Sequence, residues 1–253
     1  MSLEVILFDL DNTLILFDES RYFRLYVELT ARIFSDLIPM DEFHSKLMNS
    51  TQSLIENMGR KTNEEFFKEV FQKEFGDKRD AIWSRFQDFY SGPFDELREI
   101  VSVPPGIPAA VLKLKKMGKK IVAASNPFLP LDIQVKRLNW AGLKSEDFDL
   151  ITHLGNMSYC KPQLEYYRQI CDLMEASPEE CLMAGNDPVN DMIAKKAGML
   201  TYLTTDSEDV DGSGLVMSRK IRSLTSDEIC EPGFKGPVSK VPEVVEALLR
   251  KRT

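Results

Sequence analysis

The chain alternates short apolar runs with longer segments in which apolar residues recur at helical spacing. The first run, Val5-Ile6-Leu7-Phe8, is apolar throughout, as expected for a central parallel strand that helices cover on both faces. It ends in two carboxylates one residue apart, Asp9 and Asp11. In open α/β sheets, ligands bind outside the carboxyl ends of the strands. The pair therefore marks a candidate site, although aspartate at a strand end is also compatible with a simple turn or cap.

The segment from about residue 19 to residue 89 predicts helices and little strand. Pro39 and Gly59 end the first two helices, and Thr62 with Glu65 forms a capping box that opens the third. The aromatic stripes of these segments are typical of helix-to-helix packing rather than of a cofactor site, so we predict a four-helix unit. The predicted helices cover residues 21–38, 40–58, 62–75 and 78–90.

Beyond Pro104 the pattern changes to alternating helices and short apolar strands, which is typical of an α/β fold with a parallel sheet. The predicted strands cover residues 120–124, 149–152, 181–184 and 199–203. The predicted helices cover residues 107–117, 131–141, a segment beginning at Lys161-Pro162, a segment ending at Gly198, and residues 242–250. An acidic loop containing glycine is expected before the last helix.

The composition is that of an ordinary globular protein, with 253 residues, 43% hydrophobic and 28% charged. The net charge of −8 and the lack of a concentrated Lys/Arg segment argue against nucleic-acid binding. The basic run from Lys113 to Lys120 is better explained as a solvated helix end. We find neither a signal peptide nor an apolar stretch long enough to span a membrane, so we expect a cytoplasmic protein. The sequence leaves the choice between a monomer and a homodimer open.

The cysteines and histidines do not suggest a site of their own. Cys160, Cys171, Cys181 and Cys230 lack metal-binding spacing, so reduced and mostly buried thiols are expected. The two histidines, His44 and His153, lie in unrelated contexts, which argues against a nucleophile-histidine relay or a multi-histidine metal site.

Polar residues follow several of the predicted strands and would gather at one edge of the sheet. With these residues the sequence resembles the haloacid dehalogenase-like superfamily of hydrolases, whose four short motifs occur in this chain order. The motifs read Asp9-Leu10-Asp11-Asn12-Thr13, then Ser125, then Lys161-Pro162, then Gly185-Asn186-Asp187 with Asp191.

The resemblance implies a phosphatase chemistry in which Asp9 is the catalytic nucleophile and forms an aspartyl-phosphate. Asp11 would act as general acid and then as general base, and an acid at that position disfavours carbon-halogen cleavage. Phosphoryl oxygens would be bound by Lys161, by the hydroxyl of Ser125 and by the backbone N–H of Asn126.

The resemblance also implies a Mg²⁺ ion, a hard cation that prefers oxygen ligands. Its expected ligands are Asp9, the backbone carbonyl of Asp11, Asp187 and Asp191. The last motif departs from the common pattern because Asn186 stands directly after the glycine. Spacing from Asp191 permits either Asn186 or Asp187 as the ligand. We favour Asp187, and Asn186 can equally be a turn residue.

The long insertion between the first and second motifs resembles a helical cap that closes over the site. We therefore expect a Rossmann-like core at residues 1–16 and 93–253 and a four-helix cap domain at residues 17–92. Such a cap favours a small phosphate ester over a macromolecule. Four cationic residues of the insertion could reach a substrate, but solvated helix positions explain them better: Arg21, Arg24, Arg32 and Lys46.

The function predicted from the sequence is that of a Mg²⁺-dependent phosphatase acting on a small phosphorylated metabolite. One alternative is a phosphomutase, which would use the same residues but return the phosphoryl group to the substrate. The other is a binding protein that keeps the fold without catalysis.

Overall fold

The computed structural model describes residues 2–207 and 230–250. Within these residues six strands form one parallel sheet in the order β3-β2-β1-β4-β5-β6. The strands are β1 (Val5–Phe8), β2 (Lys120–Ala123), β3 (Leu150–Ile151), β4 (Cys181–Gly185), β5 (Leu200–Thr204) and β6 (Phe234–Gly236).

Eight α-helices lie in the described residues, four of them between β1 and β2. These four are α1 (Glu19–Phe34), α2 (Met40–Ser53), α3 (Asn63–Phe75) and α4 (Arg79–Ser91). The others are α5 (Ile107–Lys116), α6 (Leu131–Trp140), α7 (Leu164–Met174) and α8 (Val241–Arg250).

Strand β1 lies inside the sheet, paired with β2 and β4, and its side chains alternate between two covered faces. Ile6 and Phe8 belong to the apolar cluster that includes residues of α5 and α8. Val5 and Leu7 belong to the cluster that includes residues of α7. Because helices cover both faces, the strand is apolar throughout. The prediction of a doubly wound parallel sheet is confirmed.

The four inserted helices enclose a core of aromatic rings. Phe34 and Phe43 stack with ring centroids 4.4 Å apart, and Phe86 lies 4.9 Å from Phe34. At the start of α3, the hydroxyl of Thr62 accepts from the N–H of Glu65 at 3.3 Å, and the Glu65 carboxylate accepts from the N–H of Thr62 at 3.0 Å. The predicted capping box and the four predicted helices are thus present.

The helix expected from Lys161-Pro162 begins only at Leu164, so the predicted start is wrong. The N–H of Lys161 instead donates to the Asn126 side chain at 2.9 Å. The side chain of Gln163 accepts from the N–H of Cys160 at 2.8 Å. These two hydrogen bonds hold the segment in a turn, so the ammonium group of Lys161 is carried by a loop rather than by a helix.

Four further elements differ from the prediction. The segment that ends at Gly198 is a short 3₁₀ helix, Met192–Ala197, because the glycine, with φ of 104°, closes it after six residues. Helices α1 and α2 end at Phe34 and Ser53, each four or five residues earlier than predicted. Part of the expected acidic loop lies outside the described residues, and residues 234–236 form strand β6 rather than loop.

The apolar packing is continuous between the inserted helices and the sheet. The ring of Phe89 in α4 contacts Phe94, which stacks on Trp140 of α6 with centroids 5.5 Å apart. The division into a core at 1–16 and 93–253 and a cap domain at 17–92 stays a prediction. In the described residues no helix is long and apolar enough to cross a membrane. Three of the four cysteines are buried and Cys230 is half-buried.

Candidate active site

The two carboxylates that follow β1 lie at the carboxyl edge of the sheet. Asp9 is 8% exposed, and its N–H donates to the carbonyl of Ala184 in β4 at 2.9 Å. Asn12 then adopts a left-handed conformation, φ 51°, which asparagine tolerates better than most residues. Its Oδ1 accepts from the N–H of Phe17 at 3.0 Å. This tight loop leaves Asp11 on the wall of the same cavity as Asp9.

Ser125 and Asn126 follow β2, which is the neighbour of β1. The carbonyl of the buried Ser125 accepts from the hydroxyls of Thr152 at 2.7 Å and Tyr166 at 2.8 Å. The Asn126 side chain accepts from the N–H of Lys161 at 2.9 Å. These contacts fix the end of β2 against the turn that carries Lys161.

The ammonium group of Lys161 joins carboxylates that follow two different strands. Its Nζ lies 2.7 Å from Oδ1 of Asp9 and 2.6 Å from Oδ1 of Asp191. The Lys161 side chain is 2% exposed, and the Asp9 and Asp191 side chains are 11% and 1% exposed. Because all three groups are withdrawn from water, each charge depends on the others for compensation.

Burial shifts the pKa values of this trio. It raises the pKa of Asp9 to about 8, with Asp191 and Asp11 acting in the same direction and Lys161 against it. Burial alone would lower the pKa of Lys161, but Asp191 and Asp9 outweigh that effect and raise this pKa well above its usual value. Lys161 is therefore charged at neutral pH and compensates one of its two carboxylate neighbours.

Asp191 is held close to the end of β4. Its Oδ2 accepts from the N–H of Asp187 at 3.0 Å, and its Oδ1 binds Lys161. A Cβ atom at Gly185 would overlap the Asp191 carboxylate. The glycine therefore allows this carboxylate to lie against the backbone at the sheet edge.

The carboxylate of Asp187 closes the turn in which it lies. Its Oδ1 accepts from the N–H groups of Val189 at 2.8 Å and Asn190 at 3.0 Å, and its Oδ2 accepts from the Asn190 side chain at 2.7 Å. Asn186 accepts from the hydroxyl of Thr13 at 3.4 Å. Both Asn186 and Asp187 border the cavity, so the choice between them as metal ligand stays a prediction.

Arg137 on α6 is a site residue that the sequence prediction does not include. It is 4% exposed, its guanidinium forms an ion pair with Oδ1 of Asp11, and Nη1 donates to Gln134 at 3.2 Å. Its Nε has no hydrogen-bond partner in the described structure. Gln134 and Arg137 share the buried face of α6 with Ile133 and Leu138. A charged residue on an apolar helix face was the signal that could have identified it.

All seven of the predicted site residues line one cavity of about 770 Å³ between the sheet edge and the inserted helices: Asp9, Asp11, Ser125, Asn126, Lys161, Asp187 and Asp191. The structure thus brings together residues from four separate parts of the chain. Their individual roles stay predictions.

The four cationic residues of the insertion do not line this cavity. Arg21 and Arg24 are exposed. Arg32 pairs with Glu96, and Lys46 pairs with Glu42 on the same helix. The interpretation of these side chains as solvated helix positions therefore agrees with the structure.

The composition of the site fits a divalent cation. Four carboxylates and two cations meet at the sheet edge, and when all are ionised they carry a net charge of −2: Asp9, Asp11, Asp187 and Asp191, with Arg137 and Lys161. The described residues contain no group of three or more His, Cys, Asp or Glu side chains arranged to hold a metal. Mg²⁺ does not need one, because it usually takes one or two carboxylates together with waters and substrate phosphate.

Replacing Lys161 by methionine should destabilise the protein, because it leaves Asp9 and Asp191 buried without their countercharge. We expect a loss of about 3–5 kcal/mol in the free energy of unfolding at pH 8. The loss should shrink toward pH 5, since two unpaired buried acids have raised pKa values in the folded state and are tolerated once protonated. Denaturant unfolding of the parent and the variant at several pH values measures this difference in the free energy of unfolding.

The double variant Lys161→Met/Asp191→Asn is the control for this prediction, because it removes one of the unpaired charges. It should recover part of the lost stability. A single variant as stable as the parent at pH 8 would show that the pairing does not govern stability.

Comparison with known proteins was informative at the level of family and fold. A family model described as haloacid dehalogenase-like hydrolase matches residues 3–198. An L-2-haloacid dehalogenase from Xanthobacter autotrophicus has a TM-score of 0.58 at 17% identity, covering 97% of this chain and 99% of its own. A predicted phosphoglycolate phosphatase from Haemophilus somnus 129PT has a TM-score of 0.56 at 15% identity, covering 96% of this chain and 97% of its own. At these identities the structural likeness shows a shared fold.

A curated relative is the pyrophosphatase PpaX of Bacillus cereus (strain G9842), which is 24% identical over 136 residues. The match takes in 53% of this chain and 59% of the relative, so it spans less than two thirds of that protein's length. The family model, by contrast, covers most of this chain. This chain belongs to the haloacid dehalogenase-like hydrolases.

Proposed function

We propose that this hydrolase is a Mg²⁺-dependent phosphatase that acts on a small phosphate monoester through an aspartyl-phosphate on Asp9. The observation that carries the proposal is the arrangement of Asp9, a buried carboxylate 2.7 Å from the Lys161 ammonium group, with Asp11 on the same cavity wall. Two structures with this fold have titles that describe phosphatases, and the curated relative is a pyrophosphatase; these names support hydrolysis at phosphorus.

In the first step a carboxylate oxygen of Asp9 attacks phosphorus, and the bond from phosphorus to the leaving oxygen breaks. The Lys161 ammonium, the Ser125 hydroxyl and the Asn126 N–H bind the non-bridging oxygens as negative charge is rearranged. Asp11, in its protonated form, gives its proton to the leaving alkoxide. The Arg137 guanidinium donates to Oδ1 of Asp11 and holds the side chain in place, so the transferred proton would be carried on Oδ2.

In the second step the deprotonated Asp11 takes a proton from water, and the resulting hydroxide oxygen bonds to phosphorus. The bond from phosphorus to Asp9 breaks, so that inorganic phosphate leaves and both carboxyl groups return to their starting states. The same residue therefore serves as acid and then as base, and the overall reaction consumes one water.

Residues that would hold Mg²⁺ are Asp9, the carbonyl of Asp11, Asp191 and a ligand from the Asn186-Asp187 pair. Oδ1 of Asp9 is engaged by Lys161, and Oδ2 accepts no hydrogen bond from the described residues. A bound cation would supply positive charge that offsets the repulsion between the carboxylates and the substrate phosphate. It would also favour the ionised form of Asp9, whose pKa burial raises.

Two other activities are compatible with the fold. Dehalogenases share it, but the acid at Asp11 has a clear use in protonating an alkoxide and none in carbon-halogen cleavage. A phosphomutase would use the same first step and then return the phosphoryl group to the substrate. Product analysis separates a phosphatase from a phosphomutase, because a phosphatase accumulates inorganic phosphate without an isomerised phosphate ester.

Replacing Asp9 by asparagine should abolish turnover, because the amide is a poor nucleophile at nearly unchanged volume. We expect kcat to fall by at least about 10³-fold. Hydrolysis of p-nitrophenyl phosphate with Mg²⁺ measures the effect, and circular dichroism checks that the fold is retained. Substantial residual activity would mean that the nucleophile is misassigned.

The variants Asp187→Ala and Asn186→Ala test which residue of the last motif is the Mg²⁺ ligand. We expect Asp187→Ala to weaken Mg²⁺ binding more, because a carboxylate is the stronger ligand and retains a lone pair beyond the three hydrogen bonds it accepts. Isothermal titration with Mg²⁺ measures this without relying on turnover. The reverse order of affinities would assign the ligand to Asn186.

A further inference from the structure

We propose that the preferred substrate is a phosphate monoester whose alcohol portion is uncharged and largely apolar or aromatic, without a second anionic group. This inference rests on the proposed phosphatase function and adds the substrate class. The evidence is the contrast between two parts of the cavity lining. One part is made of the charged groups of the sheet edge, and the other is contributed by the inserted helices.

The part of the cavity that the inserted helices form is predominantly aromatic. Seven rings from α1, α3 and α4 line it: Tyr22, Phe23, Tyr26, Phe67, Trp83, Phe86 and Tyr90. Phe23 and Trp83 remain 42% and 36% exposed, which is high for rings that line a cavity. With a volume of about 770 Å³, the cavity has room for a phosphate and a ring-sized substituent. A substrate with an apolar body would remove these rings from water.

The inserted helices offer no positive charge to the cavity. From Glu19 to Ser91, a span that the structure describes in full, neither lysine nor arginine lines it. His44 does, but burial lowers its pKa, so it is neutral at pH 7. Arg85 on α4 pairs with Asp36 instead.

The cations that do line the cavity are already paired. Lys161 binds Asp9 and Asp191, Arg137 binds Asp11, and Lys136 binds Asp95 at 2.9 Å. A carboxylate or a second phosphate on the far side of the substrate would lie among aromatic rings without a countercharge, which is strongly unfavourable. Acidic and doubly phosphorylated esters are therefore disfavoured by the same feature that favours an apolar body.

Three phosphate esters of primary alcohols with similar leaving groups test the inference on the parent enzyme with Mg²⁺. They are ethyl phosphate, 2-phenylethyl phosphate, and 2-phenylethyl phosphate with a carboxylate at the para position of the ring. We expect kcat/KM for the phenyl ester to exceed that for the ethyl ester by at least about tenfold, because the ring is buried. The carboxylate should reduce kcat/KM by at least about tenfold relative to the phenyl ester.

A pair of neighbouring variants tests whether the inserted helices set this preference. Met48 on α2 lines the cavity, whereas the adjacent Asn49 is exposed and does not. Met48→Lys should raise kcat/KM for the carboxylated ester relative to the phenyl ester by about tenfold, because it supplies the missing countercharge. Asn49→Lys adds the same charge outside the cavity and should leave the ratio within about twofold of the parent.

The possible outcomes separate this inference from the function on which it rests. If the enzyme hydrolyses neither p-nitrophenyl phosphate nor any of the three esters, the phosphatase proposal fails. If the esters are hydrolysed and the carboxylated one is equal to or better than the phenyl ester, the substrate class is wrong while the phosphatase proposal stands. The comparison of esters on the parent protein decides this even if Met48→Lys does not fold.

Discussion

The arrangement of this site depends on one buried interaction, the contact of the Lys161 ammonium group with the carboxylates of Asp9 and Asp191. These residues come from the end of β1, the turn before α7 and the loop after β4, so a single cation ties three parts of the chain to one point. The contact is stable only if the backbone of each part is fixed. The hydrogen bond that the Lys161 N–H donates to the Asn126 side chain fixes the backbone of the turn. Gly185 leaves space for the Asp191 carboxylate beside the end of β4.

The same interaction places one cation against two buried carboxyl groups, so the second carboxyl group is ionised only at a cost. Lys161 compensates one of its two carboxylate neighbours, and burial raises the pKa of Asp9 to about 8. A nucleophile in this position needs additional positive charge to be ionised near neutral pH. The proposed Mg²⁺ would supply that charge, whereas the inserted helices contribute no lysine or arginine to the cavity. In the proposed function, the charged part of the lining would carry catalysis and the aromatic part would select the substrate body.

The fold was largely predictable because local patterns and tertiary structure agree in most of the chain. The apolar run of β1 requires cover on both faces, and the Thr62-Glu65 capping box fixes the start of α3 by itself. The grouping of the site residues was predictable for a similar reason, since side chains that follow parallel strands meet at one edge.

The features that were not predicted are set by contacts between distant parts of the chain. The turn at Lys161 depends on the side chain of Asn126, 35 residues away, which competes with helix formation. Arg137 is separated from Asp11 by 126 residues, so only the three-dimensional structure shows that this buried cation contacts a predicted site residue. Strand β6 has three residues, too few to give a recognisable alternation, and depends on its pairing with β5. That Tyr26 and Phe67 line a cavity likewise depends on how the helices pack in three dimensions.

The central claim is that Asp9 becomes covalently phosphorylated during turnover, and the most direct measurement is to trap that species. The enzyme, mixed with excess phosphate ester and Mg²⁺ and quenched in acid within milliseconds, would be digested and analysed by mass spectrometry. The account predicts one added phosphoryl group on the peptide containing Asp9, lost on exposure to alkali and regenerated by fresh substrate. Turnover with a phosphoryl group on another residue, or with none trapped at any time point under conditions where its formation outpaces its hydrolysis, would contradict it.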